Sequence, residues 1–295
     1  MPVGIDLGGT KIEAVALDAA GTEIFRERTP TPRHDYPGTI AAVADLAARA
    51  EARLGRQKGV GVAIPGTVGR GGLIKNANST WLNGRPLQAD LAAALGREVT
   101  LANDANCFVL SEATDGAGAG AGIVFGVIAG TGVGGGVAVQ GKVLQGAHGI
   151  AGEWGHNFLP GMSAPELAEA PQCFCGKRGC IESWVSGPGL AADHARHGGQ
   201  QLAADQIAIS DDAQARAAMA RFTDRFARAL ASVVNILDPD IIVLGGGLSN
   251  IPSLYRDLPK LVEGHAFKPE APPKILQNRY GDSSGVRGAA WLATK

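Results

Sequence analysis

The chain has 295 residues, 45% of them hydrophobic, and a formal net charge of −1. That apolar content is enough for two domains with real cores and excludes intrinsic disorder. The near-neutral balance removes nucleic acid as a default partner, and four cysteines with no leader-like segment at Met1 point to a reducing cytoplasm.

From the start, Val3-Gly-Ile5-Asp6-Leu7 predicts a short buried strand, Gly8-Gly9-Thr10-Lys11 a tight polar turn, and Ile12 to Leu17 a second strand. The turn is either an ordinary hairpin connection or an anion grip. In the second case its glycines bring backbone N–H groups close, Thr10 and Lys11 add donors, and Asp6 holds magnesium through water. Thr39 to Leu54 has helical apolar spacing, and Val60 to Ile64 is a strand ending at Pro65-Gly66. The loop from Lys75 to Gly84 carries Asn76, Asn78, Asn83 and Trp81. It is either plain surface or a cover that hydrogen-bonds a small hydroxylated ligand. Pro86 to Leu95 is helical.

Val99 to Ala102 is a strand that stops at Asn103-Asp104, ahead of helical periodicity from Cys107 to Ala113. Asp104 has two readings. It is the helix N-cap, worth about 1 kcal/mol, or it is a carboxylate at the carboxyl end of a strand, placed to take a proton from a sugar hydroxyl, with Asn103 as a second polar contact. The uncharged run from Gly116 to Gly141 is long enough to span a bilayer, but Gly130, Gly132, Gly134, Gly135 and Gly136 make it a loop rather than a helix. Shifting by 122 residues lays Gly126 to Gly132 over Gly4 to Thr10, and Val137-Ala-Val139 over Val15-Ala-Leu17. This internal duplication predicts two similar domains facing across a cleft, each with one phosphate-gripping turn. Gly130-x-Gly132-x-x-Gly135 also satisfies the dinucleotide fingerprint on paper, but that fingerprint needs a helix next and a strand follows. No Walker A pattern occurs.

Glu153 and His156 form a Glu-x-x-His pair, followed by Cys173, Cys175, Cys180 and Glu182. His156 lies seventeen positions before Cys173, and the set reads as Cys3His around one tetrahedral zinc, with Gly176 and Gly179 turning the loop. A disulfide with a spare thiol is the alternative. Four protein ligands close the shell, so the zinc is structural, pinning the loop and fixing Glu153 and Glu182 as polar groups facing a ligand. Ala213 to Leu237 predicts a long amphipathic helix closing at Asp238-Pro239. Ile241 to Leu244 is a buried strand running into Gly245-Gly246-Gly247, a third glycine turn, against which adenine or ribose can lie. Gly285 to Leu292 is a last helix packed on the first domain.

Taken together, Asp6-x-Gly8-Gly9-Thr10-Lys11, Asn103-Asp104, Gly130-Thr131-Gly132, Gly152-Glu-x-Gly-His156, the cysteine cluster and Gly245-Gly246-Gly247 resemble the ROK-family sugar kinases over nearly the whole chain. The resemblance implies an actin-like ATPase (ribonuclease H-like) α/β fold of two domains, 1–118 joined by 283–295 and 119–282 with the zinc loop at 152–182. It implies ATP and magnesium in an interdomain cleft and, often in the family, a dimer. By position, Asp104 is the base, Asn78, Asn103, Glu153, His156 and Glu182 bind sugar, and His156 doubles as zinc ligand. The loops Lys75 to Gly84, Ala151 to Asn157 and Gly281 to Leu292 are most similar to the manno(fructo)kinases. This chain has Asn78-Ser-Thr-Trp81-Leu where many glucokinases of the family read Asn-x-x-Gly-Trp. The expected reaction is therefore transfer of the ATP γ-phosphoryl to fructose O6, with mannose, glucose and N-acetylglucosamine as competing acceptors. Because an acetamido group would strand a buried acceptor, at about 1–3 kcal/mol per unpaired group, fructose is expected to exceed N-acetylglucosamine by at least about tenfold in kcat/KM. A sugar-sensing protein without turnover is the reading from another class; Asp104 and the absence of a DNA-binding segment ahead of Val3 speak against it.

Overall fold

The computed structural model describes residues 2–55 and 59–294. In chain order its first elements are β1 (Val3–Leu7), β2 (Lys11–Leu17), β3 (Glu23–Pro30), α1 (Tyr36–Leu54), β4 (Gly59–Ile64), β5 (Thr67–Val68), β6 (Ile74–Lys75), α2 (Leu87–Leu95), β7 (Glu98–Asn103) and α3 (Asp104–Thr114). There follow β8 (Ile123–Ala129), β9 (Val133–Val139), β10 (Lys142–Val143), α4 (Ala164–Ala168), α5 (Glu182–Val185), α6 (Gly187–Arg196), α7 (Ala204–Ile209) and α8 (Ala213–Leu237). The last are β11 (Ile241–Gly245), α9 (Pro252–His265), β12 (Ile275–Gln277) and α10 (Ser284–Leu292). They form two compact units, one of Met1–Gly120, Val137–Ala151 and Asp282–Lys295, the other of Ala121–Gly136 and Gly152–Gly281. No described helix is long and apolar enough to cross a membrane, and the uncharged run after Gly116 is the β8 and β9 pair.

The sheet of the first unit runs β3-β2-β1-β4-β7, with β1 antiparallel to β2 and parallel to β4, and β4 parallel to β7. Side chains alternate across a strand, so Val3, Ile5 and Leu7 of β1 join Val60, Val62 and Ile64 of β4 in one core with Val43, Leu46 and Ala47 of α1. The opposite face carries Gly4, Asp6 and Gly61. A Cβ on Gly4 would lie 2.1 Å from the Ala290 nitrogen and one on Gly61 1.8 Å from the Ala289 oxygen, so only glycine lets α10 rest directly on these strands. Val286, Ala289 and Ala290 of α10 are buried there with Val15, Ala63 and Cys107. Covered on both faces, the central strands read as unbroken apolar runs. Helix α1 begins three residues before the apolar periodicity shows, because the Asp35 carboxylate accepts the Gly38 N–H at 2.9 Å.

The other five-stranded sheet runs β10-β9-β8-β11-β12, with β8, β11 and β12 parallel; β8, β11 and β12 belong to the second unit, whereas β10 and the end of β9 fall in the Val137–Ala151 segment of the first. Helix α8 spans the predicted residues, started by Asp212, which accepts the N–H groups of Gln214 and Ala215, and stopped at Asp238 in the left-handed region at φ 45°. Its apolar face buries Ala215, Ala218, Phe222, Phe226 and Leu230. Elements that sequence periodicity passes over have physical excuses. Only Phe25 is buried in the charged edge strand β3, and α9 continues through Pro259 because Leu254, Leu258 and Val262 hold one face in the core.

Candidate functional site

Within the first unit two of the parallel strands carry a polar residue at or next to their carboxyl ends, Asp6 on β1 and Asn103 on β7. Asp6 lies in register with Glu13 on β2 and Ala63 on β4, and Asn103 ends β7 opposite Ile64. The Gly8–Lys11 turn closes through the Gly8 N–H on the Lys11 carbonyl at 3.0 Å, with Thr31 Oγ1 donating to the Gly8 carbonyl at 2.7 Å. Gly9, Thr10 and Lys11 stay exposed, so the donors of this turn are open to a ligand. Burial, then the negative charges of Asp104 and Glu13, push the Asp6 carboxyl up to about 7, with Lys11 acting in the other direction. Like charges gathered at strand ends suit a bound cation better than they suit each other.

Asp104 is exposed at the first position of α3, and the N-cap is Asn103 instead. Ala105 N–H donates to Asn103 Oδ1 at 2.9 Å and to Asp104 Oδ1 at 2.7 Å, while Asn103 Nδ2 donates to the Gly66 carbonyl at 3.2 Å. The capping duty expected of Asp104 thus falls on its neighbour, and the Asn103 side chain is engaged at both ends. In the asparagine loop, Asn83 clamps the Ala77 N–H and carbonyl at 2.9 and 3.0 Å and leaves Asn78 exposed. Trp81 is half-buried: its Nε1 donates to Thr39 Oγ1 at 3.3 Å, its ring meets His34 edge-on at 5.1 Å, and it packs against the core that includes α1.

In the second unit, Gly130 and Thr131 from the β8–β9 turn and Gly247 after β11 line one cavity of about 610 Å³. Gly132, Gly245 and Gly246 lie beside these residues in sequence but are not part of the lining. Gly246, at φ 78°, passes so close to β8 that a Cβ would lie 2.4 Å from the Ala129 oxygen. Sequence reasoning missed the rest of the lining, which includes Pro188, Asp205, Ile209, Leu248 and Asn250. A readable cue was present in Ser186-Gly187-Pro188, where Ser186 caps α6 by accepting the Gly189 N–H. A largely apolar cavity bordered by glycine turns suits a flat base with phosphates against backbone N–H groups.

Also within this unit, His156, Cys173, Cys175 and Cys180 bring their donor atoms within 4.8 Å of one another. His156 Nδ1 is 3.6 Å from Cys173 Sγ, and Cys175 Sγ is 3.6 Å from Cys180 Sγ. Bonds of about 2.3 Å to sulfur and 2.0 Å to nitrogen require donor separations of roughly 3.5–3.8 Å around a tetrahedral ion, so the set fits zinc. No disulfide joins these cysteines. The loop is shaped by Gly176 at φ 90° and Gly179 at φ 72°, and by the Cys173 N–H on the Lys177 carbonyl at 2.8 Å. Since Nδ1 faces the thiols, Nε2 is the His156 nitrogen left for a ligand. Glu153 is exposed, next to Trp154, which is buried against Phe125 and Phe226 and donates to the Gly134 carbonyl at 3.1 Å. Glu182 is half-buried, and its Oε2 accepts the Val133 N–H at 2.9 Å.

A family model described as "ROK family" matches residues 2–295. The chain is 42% identical over 99% of its length to an N-acetyl-D-glucosamine kinase of Yersinia pseudotuberculosis, covering 98% of that protein. Among solved structures it is similar to the ROK hexokinase from Thermus thermophilus, with 31% identity, a TM-score of 0.86 and coverage of 99% of this chain and 98% of that one. It is also similar to a ROK family glucokinase from Streptomyces griseus in complex with glucose and AMPPNP, with 25% identity, a TM-score of 0.74 and 99% of each chain covered. The fold is thus the actin-like ATPase fold of that family. The fructose assignment is overturned by the Yersinia relative, which is an N-acetyl-D-glucosamine kinase. In the loop that carried the fructokinase resemblance, Trp81 is turned toward Thr39 and His34. Glu153 and Asn78 are exposed, and Glu182 accepts the Val133 N–H.

Proposed function

The chain belongs to the ROK family and is a sugar kinase, and we propose that it transfers the ATP γ-phosphoryl group to the 6-hydroxyl of N-acetyl-D-glucosamine. The observation that carries the choice of sugar is the full-length identity of 42% to a kinase of that name. The 6-hydroxyl is the sugar's primary alcohol and the least hindered nucleophile. Asp104, exposed at the first position of α3, takes its proton. Phosphoryl transfer passes through a loose transition state, so positioning and charge stabilisation do most of the work and no covalent enzyme intermediate is needed. Asn78, Asn103, Glu153, His156 Nε2 and Glu182 are assigned to sugar hydroxyls. The Gly8–Lys11 turn and the glycines at 130–132 and 245–247 are assigned to the nucleotide. Magnesium, held through Asp6, would supply positive charge to the phosphates. Zinc on His156, Cys173, Cys175 and Cys180 would fix the loop between Glu153 and Glu182. The test is ADP release with ATP and a panel of N-acetylglucosamine, glucose, mannose and fructose. N-acetylglucosamine is expected to exceed fructose in kcat/KM by at least about tenfold, roughly 1.4 kcal/mol. Equal or greater turnover of fructose would refute the assignment.

A further inference from the structure

Three contacts tie the β8–β9 turn down within the second unit. Gly130 N–H donates to the Gly132 carbonyl at 2.9 Å, and Gly187 N–H, at the start of α6, donates to the Gly130 carbonyl at 2.7 Å. The third is the Val133 N–H on Glu182 Oε2 at 2.9 Å. The first two are backbone to backbone; the third is made by a side chain and joins the turn to a different part of the fold. Glu182 opens α5, two residues after Cys180, and its other oxygen, Oε1, is 3.9 Å from Cys173 Sγ. One carboxylate therefore reaches from the cysteine cluster to the residue that follows Gly130-Thr131-Gly132, and Gly130 and Thr131 line the 610 Å³ cavity.

Gly132 shows that this contact was given room. A Cβ there would lie 2.6 Å from Glu182 Oε2, closer than real Cβ contacts come. Its backbone is outside the left-handed region, so conformational freedom does not explain glycine at this position. Space for the carboxylate does.

We propose that Glu182 is a positioning residue for the nucleotide: by accepting the Val133 N–H it holds the Gly130–Gly132 turn in its binding shape, in addition to any contact it makes with the sugar. The inference rests on the ATP-dependent reading of the cavity. A carboxylate is a strong acceptor for a backbone N–H, and a turn held by its ends presents its remaining N–H groups at fixed spacing, which lowers the ordering cost of binding.

The experiment measures the affinity of the zinc-loaded protein for the magnesium complex of a non-hydrolysable ATP analogue by calorimetry, with no sugar present. Sugar KM is measured separately. Glu182→Ala should weaken the analogue by about tenfold, the loss of one charge-assisted hydrogen bond. Glu182→Gln keeps an acceptor oxygen and should stay within about twofold of wild type for the analogue, while its sugar KM rises. Gly132→Ala retains Glu182 but pushes a flexible side-chain end aside, so it should fold normally and still weaken the analogue by at least about fivefold. Unchanged analogue affinity in Glu182→Ala or in Gly132→Ala would overturn the proposal and leave Glu182 a sugar ligand alone. So would a Glu182→Gln protein as weak as Glu182→Ala. Should Glu182→Ala fail to fold, the contrast between the other two decides. A wild-type protein that binds no analogue would overturn both this proposal and the kinase reading. Normal analogue binding without amino-sugar turnover would overturn only the choice of substrate.

Discussion

Changing Asp104 to asparagine separates the proposed proton acceptor from the helix start, because the N-cap of α3 is Asn103. Asn103 caps α3 through its contact with the Ala105 N–H at 2.9 Å, and the substitution leaves it in place. Asp104 adds a second contact to the same N–H at 2.7 Å and a negative charge at the helix N-terminus, an effect of about 0.3–1 kcal/mol. Against this, Asp104 is one of the charges that raise the neighbouring Asp6 carboxyl, and removing it relieves that repulsion. The net change in folding stability should therefore stay below about 1 kcal/mol. Catalysis should respond on another scale, since losing a general base costs roughly 10²–10⁴ in kcat, or about 3–5 kcal/mol in the barrier. Both quantities can be read from one preparation: kcat from ADP release at saturating N-acetylglucosamine and ATP, stability from urea unfolding. Sugar KM should move less than about threefold, because an amide still accepts a hydroxyl hydrogen. A variant within about threefold of wild-type kcat would refute the assignment, and so would a kcat loss matched by an equal loss of folding free energy.

Two further substitutions probe the groups around that acceptor. Asp6→Asn should abolish activity yet stabilise the protein in magnesium-free buffer at neutral pH. The Asp6 carboxyl rises from its ordinary 3.8 to about 7 on folding, so the stability of its protonated form is complete below pH 3.8 and is lost as pH climbs to about 7. At about 1.4 kcal/mol per unit the loss has a ceiling of about 4 kcal/mol. The gap between variant and wild type in urea unfolding should open across that window and then stay level, and a gap independent of pH would contradict the placement of Asp6. Cys175→Ser removes the exposed thiolate of the cluster and should reduce zinc from about one per chain to near zero by elemental analysis. Active, freshly purified wild-type protein containing no zinc would defeat that reading.

Much of the fold was legible because its signals are local. Strand β2 and strand β9 fall on residues 11–17 and 133–139, the predicted shift of 122, and α8 matches its apolar stripe from end to end. The cysteine cluster was legible for a related reason: turns at Gly176 and Gly179 and close ligand spacing leave the loop few ways to fold. What stayed hidden depends on contacts between distant residues. Nothing near Trp81 says that Thr39 and His34 will draw it inward. Nothing near Glu166 announces that Arg225 and Arg228, about sixty positions on, will both reach it at 2.8 Å. Sugar preference was hidden most deeply, because the reading of fructose leans on the resemblance of the Lys75 to Gly84 loop and no residue in the sequence reports on the sugar's 2-position.

The two sheets explain how one backbone came to hold different chemistry. The order β3-β2-β1-β4-β7 repeats as β10-β9-β8-β11-β12, and the 122-residue shift pairs Asp6 with Ile128, Lys11 with Val133 and Glu13 with Gly135. In the first copy those positions are charged, and Glu13 is held by Arg28 at 2.9 Å and Lys11 at 4.0 Å. In the second the charges are gone, so the turn can offer a ligand little beyond Thr131 and backbone N–H groups. The vacated positions took on packing duties. Gly135 admits Trp154, whose ring atoms would lie 2.7 Å from a Cβ there, and the residue matching Lys11 gives its N–H to Glu182. In the proposed reading the charged turn would handle cation and phosphate charge, and the backbone turn would recognise shape by close approach. Restoring charge to the second turn should therefore not substitute for Lys11, because the Val133 side chain is buried and a lysine in its place would have to carry its ammonium out of an apolar setting.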